Sequence, residues 1–438
     1  MKNIFLSIAL ATTIQASAQN VIETNRAINR ASEWSKESAL ETKKTDSSKL
    51  VKKTITQQIT LPKALDILID MSGELIINTW NENKIKLETT VQYEEPDELS
   101  DAEWLDKLGI NMKIFGSTVK VKSKTGNGIT FLNGTRTITT YSLPFSYYGG
   151  DNVNMQKSPV TLYIPSESIL EIEDKYGHLK INNNIKSLLL DNTDGEIEFA
   201  NIEKLQLRSN KGNFNGGIVA EADIELSFAR LSLKQLNKSV VTSSYSTIEL
   251  ESVKDVKLSS SNDEIDIDNA AALYGTKNFG NLRINQLTGK LDLQGINSDI
   301  KLRHISPSAQ LIKIINRNAD LRLPSNDLSN FSVDIKGSYN TIYSSFAEKT
   351  TVDTLTTEEI ESVKTLTNAV TAAGSTLNAT GTTFNRYTVT GNNVITVTGQ
   401  VIGSNRQNPY LKYSAKVGSG NDMLKYQIIC TNCVIDFK

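Results

Sequence analysis

This 438-residue chain is poor in the side chains that most chemistry uses. It has two histidines, two cysteines and three tryptophans, and aromatic residues make up only 7%. Two histidines make no His-rich metal site, and His178, at a corner beside Gly177, and His304, two residues after Leu302, are poor candidates for a His-dependent triad. The low aromatic content leaves few candidates for base- or sugar-stacking platforms. A formal net charge of −2 argues against a nucleic-acid partner, which requires a dense basic face. Past the N-terminus no apolar run approaches the length of a spanning helix.

A repeat fills much of this plain composition. Apolar residues recur at Leu179, Ile197, Phe214, Leu231, Ile248, Ile265, Leu282, Ile300, Leu321 and Ile342. The first eight follow at steps of 17 or 18 residues and the last two at 21. Two positions before each stands a small or turn-forming residue, among them Gly177, Gly195, Ser246, Asp263 and Asn340. A second apolar residue usually stands two positions after, and further pairs lie seven and nine before, such as Ile172/Leu170 and Leu258/Val256. Spacing by two marks one face of a strand, so each unit supplies two short strands joined by a polar corner. Seventeen residues have no room for a crossover helix, and the abundant Asn, Ser, Thr and Asp oppose helical repeats.

The expected fold is therefore all-β: a parallel β-helix or β-solenoid of about ten 17–21-residue rungs. Antiparallel hairpins in a meander are the competing arrangement. The corner glycines do not read as a phosphate cradle, since no helix opens behind them.

The expected organisation follows the composition along the chain. Residues 1–18 carry an apolar run, Ile4–Ala11, and an Ala16-Ser17-Ala18 cleavage site, the pattern of a signal peptide. Residues 19–49 form a polar tether and 50–165 an N-terminal β-rich cap. Residues 166–348 hold the solenoid repeats, 349–382 a connector with a helix from Thr357, and 383–438 a C-terminal β cap. Within the first cap, Ser100 and Glu103 make a capping box, Leu99 and Trp104 a staple and Gly109 a stop, which predicts a short helix. Leu68, Gly73, Leu75, Ile77 and Trp80 echo the repeat as an imperfect early rung.

The stretch Ile76-Ile77-Asn78-Thr79-Trp80-Asn81-Glu82-Asn83-Lys84-Ile85-Lys86-Leu87, together with Tyr176-Gly177-His178-Leu179-Lys180-Ile181, resembles the adhesin-like family of exported β-repeat proteins of Bacteroidetes. The resemblance covers about residues 50–348 and the terminal rung-like segment. Asn81 stands where that family usually has Asp, and most of its Tyr-Gly corners are missing here. It implies a fold and a cell-envelope location; it carries over no catalytic residue.

The densest acidic group is Asp263, Glu264, Asp266 and Asp268. It reads as a solvated strand face; a weak Ca²⁺ site and a glycosidase-type carboxylate pair are the alternatives. Cys430 and Cys433 flank a four-residue corner between strands, close enough for a structural disulfide. The strand flanks lack the helix N-terminus that a thioredoxin-like thiol pair uses. No catalytic, cofactor or metal residue is assigned. The expected role is a non-catalytic structural, adhesion or binding one in the periplasm or at the cell surface, with an envelope protein or glycan as partner. The alternatives are a carbohydrate-active enzyme on a β-helix and an envelope-stress component acting through a protein partner.

Overall fold

Burial follows the two-residue alternation closely. In Ile169–Lys175 the side chains of Leu170, Ile172 and Asp174 point inward, and those between them face outward. The computed structural model describes residues 50–61, 66–71, 73–94, 99–116, 118–123, 130–133, 136–139, 156–157, 159–346, 350–377, 402–403, 409–419 and 423–438. The expected signal peptide and tether lie outside the described residues, as does the Thr/Gly/Asn-rich stretch 378–401. Among the described residues the chain is all-β apart from two helices, α1 (Asp101–Lys107) and α2 (Thr357–Leu377). Nearly every strand joins one large sheet system.

Parallel pairing between segments one repeat apart dominates that system. Ile169–Lys175 lies between Asp66–Met71 and residues 187–193, parallel to both. His178–Ile181 lies likewise between residues 74–77 and Glu196–Phe199. Ile197 is opposite Phe214, Leu231 opposite Ile248, Leu282 opposite Ile300, and Ile300 opposite Leu321. The offset in the ladder is thus the offset in the sequence. These apolar residues are buried and belong to one continuous core. The meander is overturned for the repeats, because a meander pairs its neighbours antiparallel.

The early unit at residues 66–80 joins this stack with one adjustment. Its inward residues are Ile67 and Ile69, opposite Leu170 and Ile172, and Leu68 is only half-buried. Its corner is one residue shorter: Met71 aligns with Asp174, yet Glu74 aligns with His178. The spacing from Leu75 therefore selects Leu68 where the structure uses its neighbours.

Antiparallel strands border both ends. Leu50–Thr60 pairs with Lys84–Glu94, and Tyr410–Val417 pairs with both Phe331–Ser338 and Thr350–Thr354. In α1 the capping box forms, with Ser100 N donating to Glu103 Oε2 at 2.8 Å, and Trp104 is fully buried. The start of α2 repeats the device: Thr356 N donates to Glu359 Oε2 at 3.1 Å. Val363, Thr367 and Val370 are buried as α2 packs on the strands at 311–317 and 424–431.

The chain order breaks near the C-terminus. Leu424–Thr431 inserts between Leu311–Arg317 and Phe331–Ser338, parallel to both, and Val434–Phe437 lies between Asp320–Leu323 and Thr341–Tyr343. The sequence places Leu321 and Ile342 in successive rungs. In the structure the segment Leu424–Phe437 separates them. Edge-to-face ring contacts hold the insert: Tyr426 meets Phe331 at 5.9 Å and Phe437 at 5.4 Å, and Phe346 meets Phe437 at 5.3 Å.

Candidate functional site: an aromatic corner edge

Each corner turns through one residue in the left-handed region, and these residues form a column. In the order of the stack they are Tyr176, Asp194, Lys211, Phe228, Tyr245, Asn262, Phe279, Asn297, Asn318, Asn432 and Tyr339, with φ from +51° to +68°. Asn is the usual non-glycine occupant of this region, because its short amide bonds the local backbone. Aromatic residues are poorly suited to it. Even so, Tyr176, Phe228, Tyr245 and Tyr339 occupy it and are exposed by 52%, 58%, 44% and 61%. A soluble corner has no need of an exposed ring on a strained backbone.

At the glycine corners the residue after the left-handed position has no side chain because neighbouring side chains fold back into the corner from inside. A Cβ at Gly177 would fall 1.9 Å from Asp174 Oδ1. At Gly195 it would fall 2.3 Å from both Asp174 Oδ2 and Asn192 Oδ1. Those two oxygens are buried without hydrogen-bond partners and converge on the same point. Burial pushes the Asp174 carboxyl up to about 6, against the opposing pull of the Gly177 N–H and of His178.

Farther along, Asp263 stands where those corners have glycine, and its own side chain folds inward. It is fully buried and accepts hydrogen bonds from Ser243 Oγ (2.7 Å), Ser260 Oγ (2.5 Å) and Ser246 N (2.7 Å). Lys277 is buried beside it, donating to Asp263 O at 2.9 Å, and its burial brings its amine down to about 8.

The acidic group of the sequence is therefore split. Asp263 faces inward; Glu264, Asp266 and Asp268 face outward and meet donors one repeat later. Asn281 donates to Glu264 at 2.7 Å, Arg283 to Asp266 at 3.4 Å, and Asn285 to Asp268 at 2.5 Å. Among the described residues, no group of three or more His, Cys, Asp or Glu side chains gathers as a metal site.

His178 and His304 are both exposed. They stand seven repeats apart, about 34 Å at the usual strand spacing. Cys430 and Cys433 are disulfide-linked across the last corner, with Cα atoms 6.1 Å apart, and both are buried. Asn340 closes that corner, donating to Cys430 O at 2.8 Å and accepting from Cys433 N at 3.0 Å.

The corner edge from Gly73 to Thr247 borders a concavity of about 830 Å³, a size typical of ligand sites. Gly177, Gly195 and Gly212 line it, with the rings of Tyr176, Phe228 and Tyr245. Polar groups come from the first position of each following strand: His178, Glu196, Asn213, Arg230 and Thr247. Three of these are paired, His178 with Glu196 at 3.8 Å and Arg230 with Glu249 at 2.6 Å. Phe228 and Tyr245, from consecutive units, stack with centroids 5.0 Å apart and planes within 8° of parallel.

The aromatic count thus misjudges this edge, because few rings are concentrated on one column. The signal lies in the sequence one residue before each small corner residue. There the chain reads Tyr, Asp, Lys, Phe, Tyr, Asn, Phe, Asn, Asn, Tyr.

No family model and no curated protein matches the chain. It is similar in structure to a candidate adhesin from Parabacteroides distasonis, at 13% identity over 60% of this chain and 96% of that one, with a TM-score of 0.36. A candidate adhesin from Parabacteroides merdae gives 10% identity over 62% and 89%, with a TM-score of 0.29. A candidate cell adhesion protein from Clostridium sporogenes gives 12% over 89% and 99%, with a TM-score of 0.17.

Proposed function

We propose that this chain is a non-catalytic binding protein: an exported β-solenoid of about ten parallel rungs whose corner edge engages a partner in the cell envelope. Parallel pairing at offsets that track the repeat, 17 or 18 residues through most of the stack, supports the solenoid. Ten such rungs make a rod roughly 50 Å long. The Ala16-Ser17-Ala18 pattern after an apolar run supports export. The outward carboxylates of the densest acidic group are engaged by neighbouring donors, which favours a scaffold over a catalytic pair.

The single observation that carries the binding role is the exposure of Tyr176, Phe228 and Tyr245 at left-handed corners around one concavity. Strained residues persist where function holds them.

Two measurements test the reading. Mass spectrometry of the envelope fraction should find an N-terminus near Gln19, and an intact Met1 there would reject export. Purified protein should be retained on envelope material from the producing cells, and Phe228→Ala with Tyr245→Ala should reduce retention at least tenfold. Undiminished retention by a folded double variant would remove the corner edge from the role.

A further inference from the structure

We propose that the concavity on the aromatic corner edge is a glycan-binding site that stacks a neutral pyranose unit of a polysaccharide against Phe228. This inference rests on the binding role above and names its ligand class. Phe228 and Tyr245 hold equivalent places in adjacent units, and their parallel rings are separated by 5.0 Å, close to the strand spacing of about 4.8 Å. Their planes therefore lie across the direction of stacking. Tyr245 covers one face of Phe228. The other face looks back along the stack toward Lys211, Asp194 and Tyr176.

The concavity lies on that side, where Asp194 and Lys211 line it together with Phe228. Gly195 and Gly212 line it as well; a side chain at Gly195 would point into the corner, against Asn192 and Asp174. A flat ligand in the concavity can rest on the ring. A pyranose has this shape: axial C–H groups on its faces and hydroxyls around its rim. Its C–H face carries slight positive charge and suits the negative face of an aromatic ring. Its hydroxyls both donate and accept, and the rim residues Glu196, Asn213, Arg230 and Thr247 offer both.

The charges at the rim argue against a strongly ionic ligand. His178 faces Glu196 and Arg230 faces Glu249, so no single sign dominates. A protein partner would use a broad apolar patch, but here charged Asp194 and Lys211 interrupt the rings. Tyr176 supplies a second ring to the same concavity, three repeats before Phe228.

Titration calorimetry of the full chain with neutral hexasaccharides of glucose, mannose and N-acetylglucosamine tests the proposal. At least one should bind with micromolar to millimolar affinity. Phe228→Ala and Phe228→Gly should each weaken it at least tenfold, whereas Phe228→Tyr should retain it. Tyr339→Ala, on the same column but outside the concavity, should leave affinity within twofold. Failure of all three oligosaccharides to bind, or binding that ignores Phe228, overturns the proposal.

The envelope assay separates this failure from that of the broader reading. Retention that depends on Phe228, survives periodate oxidation of the envelope material and is lost after protease treatment would refute the glycan while leaving a binding role.

Discussion

Asn432 Nδ2 donates a 2.7 Å hydrogen bond to Oδ1 of Asn318, a residue 114 positions earlier in the chain. Both sit at left-handed corners, at φ +59° and +57°, and the bond continues the asparagine column from one unit to the next. Their backbones meet too, with Asn318 N donating to Thr431 O at 3.0 Å. On its other side Asn432 N donates to Ser338 O at 2.9 Å. The C-terminal segment is an interior layer of the stack.

Removing that layer should therefore damage both its neighbours. Truncation after Gly418 deletes Leu424–Phe437 and uncovers apolar residues on each side, including Ile314 and Ile335. Hydrogen exchange should accelerate across both 311–323 and 331–343, while 187–260 keeps its protection. Unpaired strand edges should also make the truncated protein aggregate. Acceleration limited to one neighbour would contradict the interleaved order.

Repeat period and corner position were legible in the sequence because both reflect local sterics. An inward apolar pair and a small corner residue recur wherever a unit must stack, so Leu231 and Ile248 could be aligned by counting. The place of the C-terminal segment was not legible. Tyr426, Ile428, Ile435 and Phe437 show the pattern of a unit, yet that pattern is the same for an end and an interior layer. Position is decided by non-local fits such as Tyr426 OH donating to Pro324 O at 2.5 Å. The aromatic edge was legible in principle, one residue before the glycines, but a composition average conceals it.

The core register predicts unequal effects from neighbouring substitutions. Leu258 and Ile267 are 4% and 3% exposed, whereas Asp266 is half-exposed and bonded to Arg283 at the surface. Leu258→Ala should destabilise by about 2–5 kcal/mol through the cavity it leaves, and Leu258→Asp by more. Asp266→Ala should change stability by less than about 1 kcal/mol, as surface ion pairs contribute little. Thermal melts check this, and equal effects would refute the register.

Asp174 should give the protein an unusual pH dependence. Its folded pKa, about 6, lies above the ordinary 3.8, so the folded state binds the proton more tightly. Its contribution is then fully present below about pH 4 and is lost as pH rises through 6. A shift of this size amounts to about 3 kcal/mol. Asp174→Asn removes the titration and places an amide beside the unpartnered Asn192 Oδ1. Urea midpoints at pH 5 and pH 7.5 should show the variant gaining on the wild type at the higher pH. An identical pH dependence in both proteins would exclude Asp174 as the cause.

The left-handed column sets a contest between stability and surface chemistry, and Tyr339 exposes it most cleanly. At φ +57° its Cβ crowds the following carbonyl, a strain of about 1–2 kcal/mol for an ordinary residue. The ring is 61% exposed, so burial returns little of that energy. Glycine adopts this backbone without the clash, though its freer unfolded chain offsets about 0.5–1 kcal/mol of the relief. Tyr339→Gly should therefore leave stability unchanged or raise it by up to about 1 kcal/mol, measured as a higher melting temperature. Tyr339→Val should lower it, because a β-branched residue is the worst occupant of this region. A glycine variant markedly less stable than wild type would show that the ring itself holds the corner, and would remove the argument that exposed aromatics on this edge are kept for binding.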